Sequence, residues 1–247
     1  MLTRPNICIC KGNPMPRFTE TPSAEAAAAL LAEHVARGLR GALDRQERAT
    51  LAVSGGKSPV AFFHALNQND SVDWPRVNIT LADERLVPTG HDDSNTRLVR
   101  AHLLQNRAAA ARWLPLVDDA ASEGSLKDRA GAVDFALRRF VRPDVLVLGM
   151  GADGHTASLF PQSPQLADGI RADYPQPLLY TDPVTAPHGR ISLTLAAIER
   201  VPAVYLAIAG AEKLAVYRRA ERQAGAALPV SLVLNSNKVS PHVFYHA

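Results

Sequence analysis

Short, mostly apolar runs alternate along the chain with longer stretches whose apolar residues recur at helical spacing. The runs predict buried strands at 49–53, 77–81, 113–116, 144–148 and 203–209. The longer stretches predict helices at 23–43, from Pro59 onward, and at 95–104, 124–140, 194–200 and 212–222. The remaining pattern predicts a polar loop at 83–94, an edge strand at 190–193, and short closing segments at 230–234 and 243–245.

This alternation is typical of an α/β protein, and we predict an open, doubly wound, mostly parallel sheet. The length of 247 residues suits a single domain spanning 1–247. In such sheets, ligands bind at the carboxyl ends of the strands. The residues that follow Val53, Leu81, Leu148 and Ala209 are therefore the first candidates for a functional site.

The first of these strand ends carries two glycines among polar residues, Ser54-Gly55-Gly56-Lys57. Glycine lets the backbone turn tightly and approach a ligand closely. Backbone N–H groups here and at the start of the next helix favour an anion, and Lys57 with the hydroxyls of Ser54 and Ser58 would add charge-assisted hydrogen bonds. The loop lacks the spacings of a Walker or dinucleotide-binding motif. A phosphate site and a plain strand-to-helix turn both remain open.

The second strand end carries the charged triplet Asp83-Glu84-Arg85. Charges at the carboxyl end of a central strand are poorly placed to serve solubility alone. One interpretation is a local ion pair that closes the loop. The other is a carboxylate that handles a hydroxyl or orients a base, beside an arginine that forks onto a phosphate.

The third strand end, 149–161, contains three glycines within six residues, so its backbone must bend sharply. Asp153 and His155 alternate on this bend, with Gly154 between them. A histidine beside a carboxylate can act as a general base, because its ordinary pKa lies near working pH. The alternative is a core histidine that only hydrogen-bonds the backbone.

Two further cations lie near predicted strand ends. Arg190 begins the segment 190–193, and Lys213 lies in the first turn of the helix after the strand at 203–209. Solvated surface charge is the ordinary role of such residues, but their position also suits binding of an anionic ligand.

Composition changes this picture little. Hydrophobic residues make up 47% and charged residues 21%, enough for a sizeable core. The net charge is +3 with no block of like charges, which gives no indication of a nucleic-acid partner. We find neither a secretory signal nor an apolar stretch long enough for a membrane span, so we expect a cytoplasmic protein.

Cys8 and Cys10 are the only cysteines, and they are separated by one residue. A disulfide across that spacing would be strained. A zinc site would need two further clustered ligands, which are not evident in the sequence. We therefore expect reduced thiols and no bound metal.

The segment 149–161 resembles the signature of the 6-phosphogluconolactonase and glucosamine-6-phosphate deaminase superfamily. Three more blocks match the lactonase branch in order and spacing: Ser54-Gly55-Gly56 with Pro59, Asp83-Glu84-Arg85 with Ser94-Asn95, and 190–194. The resemblance covers roughly residues 23–245. It implies a three-layer, modified Rossmann-like fold and hydrolysis of 6-phospho-glucono-1,5-lactone, without a cofactor.

The resemblance also implies roles for the candidate residues. His155 would be the general base that activates water, and Asp83 a supporting catalytic carboxylate, with Asp153 left open as the partner of His155. Substrate and phosphate binding would fall to Ser54, Gly55, Gly56, Lys57, Arg85, Asp153, Gly154, Arg190 and Lys213. The expected partner is a small sugar phosphate lactone, and the expected state is a monomer or weak dimer.

Without a Gly-x-Ser-x-Gly motif, a serine nucleophile is not indicated, which favours direct attack by water. Backbone N–H groups of the glycine-rich turns are the expected donors to the oxyanion.

Two rival functions are less consistent with the chain. Deaminases of this superfamily carry a glutamate five residues after the histidine, where this chain has Phe160, and an aromatic residue where it has Arg85. Sugar-phosphate sensors carry a helix-turn-helix module, and only about 20 residues precede the first predicted helix.

Overall fold

The computed structural model describes residues 16–56 and 58–247. The predictions for Cys8, Cys10 and Lys57 lie outside the described residues. The strands are β1 Arg17–Thr21, β2 Ala49–Val53, β3 Val77–Leu81, β4 Asp83–Arg85, β5 Arg112–Trp113, β6 Val145–Gly149, β7 Leu178–Thr181, β8 Arg190–Leu193, β9 Ala203–Ala209 and β10 His242–His246. The helices are α1 Ala24–Leu43, α2 Val60–Asn67, α3 Asn95–His102, α4 Arg129–Arg139, α5 Leu166–Gly169, α6 Leu195–Ile198, α7 Gly210–Ala220 and α8 Val230–Leu234.

Seven parallel strands form the central sheet in the order β1-β10-β9-β6-β2-β3-β5, and helices flank it. The predicted α/β class and the doubly wound, mostly parallel sheet are confirmed. The strand β2 pairs with β3 on one side and with β6 on the other, so the direction of winding reverses between β2 and β6. Such a reversal opens a crevice at the carboxyl ends of the strands.

Burial explains why the central strands could be predicted from the sequence. Every residue of β2 and β3 is buried, so both faces of the sheet are covered. The helix α1 buries a stripe that includes Leu31, Val35 and Leu39. Ser23 begins this helix by accepting a hydrogen bond from the backbone N–H of Ala26 at 3.2 Å.

A second, three-stranded antiparallel sheet in the order β4-β8-β7 was not predicted. The start of the predicted loop at 83–94 is β4, and the predicted edge strand at 190–193 is its central partner β8. The strand at 190–193 is therefore confirmed with its bounds, but it lies at the centre of this sheet and not at an edge. The loop prediction was wrong at 83–85, because β4 is a short charged strand without apolar alternation. The strand β7 was not predicted, because it follows Pro175 and Pro177 in a stretch with the composition of a loop.

Two ends of the chain also differ from prediction. The polar segment Arg17–Thr21 is β1, which pairs with β10 along the sheet edge, and 230–234 is the helix α8. The closing segment at 243–245 lies inside β10. Among residues 16–56 and 58–247, the helices are too short or too polar to cross a membrane.

Candidate active site

The carboxyl ends of β2, β3, β6 and β9 open on a cavity of about 320 Å³. It brings together eight of the residues that the sequence assigned to a site. They are Ser54, Gly55, Gly56, Asp83, Arg85, His155, Arg190 and Lys213. The rule that ligands bind at these strand ends therefore located the cavity correctly.

His155 forms a close pair with Asp153 inside the loop after β6. Its Nδ1 lies 2.5 Å from Asp153 Oδ1, and the same oxygen accepts the backbone N–H of His155 at 3.1 Å. Burial raises the pKa of Asp153, but the hydrogen bond and charge of His155 outweigh it and lower that pKa overall. An ionised carboxylate only accepts hydrogen bonds, so Nδ1 carries the proton and Nε2 is left as the basic nitrogen.

The loop holds this pair through its own backbone. The N–H of Gly151 donates to His155 O at 3.0 Å, and the N–H of Gly154 donates to Gly151 O at 3.0 Å. A Cβ on Gly151 would lie only 2.3 Å from the His155 ring. Gly154 has φ +78° and packs against Leu228. The glycines are therefore required by the position of the histidine.

Phe160 lies under the histidine. Its ring stacks on His155 with centroids 4.0 Å apart and an interplanar angle of 22°. The guanidinium of Arg190 lies 5.1 Å from the same ring. The imidazole and this arginine are thus held against one aromatic side chain at one end of the cavity.

Asp83 is not the carboxylate that holds the histidine. Its Oδ2 accepts the hydroxyl of Ser158 at 2.5 Å and lies 3.8 Å from Arg190 Nη1. The question left open by the sequence is thereby answered in favour of Asp153. Burial lowers the pKa of Arg190, and the neighbouring Asp83 partly offsets this. Both side chains face the cavity as a charged pair.

Glu84, between the two cavity residues, points away into the core and is fully buried. Its carboxylate accepts the backbone N–H groups of Asn95 and Thr96 at 2.8 and 2.7 Å and the hydroxyl of Ser94. Burial raises the pKa of this carboxyl, while the hydrogen bonds from Asn95 and Thr96 oppose the rise. Glu84 therefore anchors the start of α3 and does not belong to the cavity.

Several residues that line the cavity have buried polar atoms without a described partner. Ser54 Oγ, Asn95 Oδ1 and the Nε atoms of Arg85 and Arg190 are buried and have no hydrogen-bond partner among the described residues. Gly55 lies so close to Asn95 that a Cβ would come within 1.9 Å of its side-chain oxygen. Buried polar groups are normally satisfied, so this cluster is suited to a polar ligand.

Some assignments made from sequence are not matched by the cavity. Asp153 and Gly154, assigned to substrate binding, do not line it; Asp153 instead holds His155. Asn95 and His246 do line it and were missed, whereas the hydroxyl of Ser58, which the sequence indicated, lines it as expected. His246 ends β10, and the strand-end rule would have found it had 243–245 been read as a strand of the main sheet.

Groups that could hold a metal ion lie elsewhere. Among the described ranges, His91, Asp93 and His188 form such a cluster, and none of them lines the cavity.

The fold and this site define an α/β protein with a histidine–aspartate pair and a cationic cavity at the switch point of a parallel sheet. The family model described as glucosamine-6-phosphate isomerases/6-phosphogluconolactonase matches residues 22–241. The chain belongs to this family.

Individual relatives agree. The chain is 54% identical to 6-phosphogluconolactonase of Neisseria meningitidis over 226 residues, which cover 92% of this chain and 97% of the relative. It is 47% identical to that of Pseudomonas aeruginosa, over 80% of this chain and 82% of the relative. The crystal structure of a 6-phosphogluconolactonase from Shewanella baltica superposes on this chain with a TM-score of 0.85. The two sequences are 40% identical, and the match covers 96% of this chain and 100% of that chain.

Proposed function

We propose that this chain hydrolyses 6-phospho-D-glucono-1,5-lactone to 6-phospho-D-gluconate, the lactone-opening step of the oxidative pentose phosphate pathway. The names of its relatives at 54% and 47% identity support this activity. The observation that carries the mechanism is the 2.5 Å contact between His155 and Asp153 beside a cavity lined by Arg85, Arg190 and Lys213. The enzyme acts as one domain, a monomer or weak dimer, in the cytoplasm.

In this mechanism His155 acts as the general base. Asp153 holds the proton on Nδ1, so Nε2 accepts a proton from a water molecule as that water attacks the lactone carbonyl. The carboxylate then stabilises the imidazolium that forms. Proton transfer to a positioned base contributes on the order of 10²–10⁴-fold in rate.

The carbonyl oxygen gains negative charge as water adds, and this oxygen needs donors. The N–H groups of Gly151, Gly154 and His155 are already engaged within their own loop, so they are poor candidates. Arg190 is better placed, because it lines the cavity, lies against the same Phe160 ring as His155, and has an Nε atom without a described partner. We assign the oxyanion to Arg190.

The phosphate is remote from the reacting carbonyl, so its binding serves to orient the lactone. Arg85, Lys213 and the Ser54–Gly56 loop supply the positive charge and hydroxyl groups for it. Asp83, which is near Arg190, accepts a hydrogen bond from a sugar hydroxyl.

The deaminase reaction of the same family fits less well. Phe160 occupies the position of the deaminase glutamate, and its ring is stacked on His155 at 4.0 Å. No carboxylate can reach the imidazole from that position.

The test is a lactone assay on the purified chain. The lactone is generated enzymatically from glucose 6-phosphate, and its decay is followed above the spontaneous rate with a chelator present. We expect fast, chelator-insensitive hydrolysis and no release of ammonia from glucosamine 6-phosphate. Decay at the spontaneous rate would refute the activity, and ammonia release would assign the chain to the deaminases.

A further inference from the structure

We infer that His91, Asp93 and His188 form a binding site for a divalent transition metal ion of the zinc type, outside the catalytic cavity. The three side chains come from two loops, the one after β4 and the one before β8. One potential ligand atom from each lies within 4.8 Å of the others. This inference does not depend on the proposed lactonase activity.

The distances are close to those around a bound ion. His188 Nε2 lies 3.0 Å from Asp93 Oδ2, and His91 Nδ1 lies 4.0 Å from the same oxygen. Around a tetrahedral zinc ion with bonds of about 2.0–2.1 Å, neighbouring ligand atoms are about 3.3 Å apart. The two distances to Asp93 therefore differ from this spacing by about 0.3 and 0.7 Å, so small side-chain movements bring both histidines to bonding distance.

The chemistry of the three groups selects the ion. Two imidazoles and one carboxylate are ligands that suit zinc and its neighbours such as cobalt and nickel, whereas magnesium and calcium prefer oxygen alone. Three protein ligands leave a fourth position open to solvent. His91 Nδ1 accepts the backbone N–H of Asp93 at 3.0 Å, so this nitrogen carries no proton, and the ion would replace one exposed hydrogen bond.

Local contacts already hold the two loops together. The backbone N–H of Leu86 donates to Gly189 O at 2.8 Å, which joins the two loops beside the cluster. Arg85 Nη1 donates to Asp93 O at 2.6 Å, and Arg190 Nη2 donates to Pro187 O at 3.3 Å. A bound ion would thus fix the loops that support two arginines of the cavity, and it should raise the thermal stability of the chain.

The experiment is calorimetric titration of tag-free protein with Zn²⁺, in a Cys8→Ser/Cys10→Ser background that removes competing thiols. We expect one equivalent per chain, a rise in Tm, and with Co²⁺ the visible absorption of a four-coordinate ion. His188→Asn and Asp93→Asn should each weaken binding about tenfold or more. Mg²⁺ should not bind.

The matched control is His64→Asn, which removes one ring of another exposed histidine pair, His64 and His102, 3.0 Å apart. This variant should bind Zn²⁺ like the parent. Absence of binding by the parent would overturn the inference, and so would binding that His188→Asn leaves unchanged. Lactone hydrolysis measured with chelator reports separately on the proposed function.

Discussion

The loop after β2 and the loop after β6 follow neighbouring strands of the sheet, and both are rich in glycine. In the loop after β6, the polar groups are satisfied internally: Gly151, Gly154, His155 and Thr156 all bond to other residues of the same segment. In the loop after β2, Ser54 Oγ is buried and has no described hydrogen-bond partner. The same holds for Oδ1 of Asn95, which begins α3 and lies against this loop.

This difference separates two tasks of an active site. A base must stand in one orientation before the substrate arrives, so its loop is complete without a ligand. A binding loop must exchange its hydrogen bonds for those of the substrate, so its groups are left available. The glycines serve both tasks, since Gly151 makes room for the His155 ring and Gly55 makes room for Asn95.

Among the changes that test this difference between the two loops, a change at Asp153 should have the largest effect on kcat. In Asp153→Asn the imidazolium loses its negative partner, and the amide NH2 donates to Nδ1 and selects the wrong tautomer, so kcat should fall about 10²–10³-fold with KM little changed. Asp83→Asn is the matched carboxylate change and should mainly raise KM, by about tenfold, because the hydrogen bond to substrate loses its charged acceptor. Steady-state kinetics on the lactone would separate them, and the reverse pattern would make Asp83 the partner of the base.

Gly151→Ala should cause the next largest fall in kcat. The added methyl group would lie 2.3 Å from the His155 ring, so the ring must move. A displacement of about 1 Å can lower kcat by about 10²-fold. The control is Gly225→Ala, where a Cβ meets nothing within 4 Å and wild-type kcat is expected. Equal kcat in the two variants would show that the loop after β6 does not fix the base.

Gly55→Ala tests the other loop and should change KM more than kcat. Its methyl group collides with the Asn95 side chain, so the binding groups are displaced while the base stays in place. KM should rise about tenfold, which corresponds to roughly 1.4 kcal/mol of binding. Adding Asn95→Ala removes the collision and should recover part of the loss in KM. A fall in kcat alone would contradict the division between the loops.

The smallest kinetic effect is expected at Glu84, which lies next to two cavity residues but faces the core. The backbone N–H groups of Asn95 and Thr96 each donate to a different carboxylate oxygen of Glu84. Glu84→Gln leaves a single oxygen, so one of these buried N–H groups loses its acceptor. The free energy of unfolding should fall by about 1–3 kcal/mol. Chemical denaturation measures this, and kcat should stay within about twofold of wild type. A large loss of kcat with unchanged stability would place Glu84 in the catalytic machinery.

Much of this arrangement could be predicted from the sequence. Fully buried parallel strands such as β2 and β3 have continuous apolar runs, so their ends, and hence Ser54 and Asp83, could be located. The partner of His155 could not be chosen, because Asp83 and Asp153 both follow strands. Only the backbone path of the loop shows that Asp153 reaches Nδ1.

The antiparallel sheet could not be predicted from the pattern of apolar and polar residues. Its strand β4 is a charged triplet, and the pairing of Arg85 with Arg190 joins residues that are distant along the chain. The separation along the chain also conceals the contact of Arg190 with the Phe160 ring, which stacks on His155.

The most direct measurement is lactone hydrolysis by His155→Ala, corrected for spontaneous ring opening. If His155 is the base fixed before substrate binds, kcat falls about 10²–10⁴-fold while KM stays within about threefold. Wild-type kcat in this variant would contradict the account, because the loop after β6 would then hold a histidine that takes no proton.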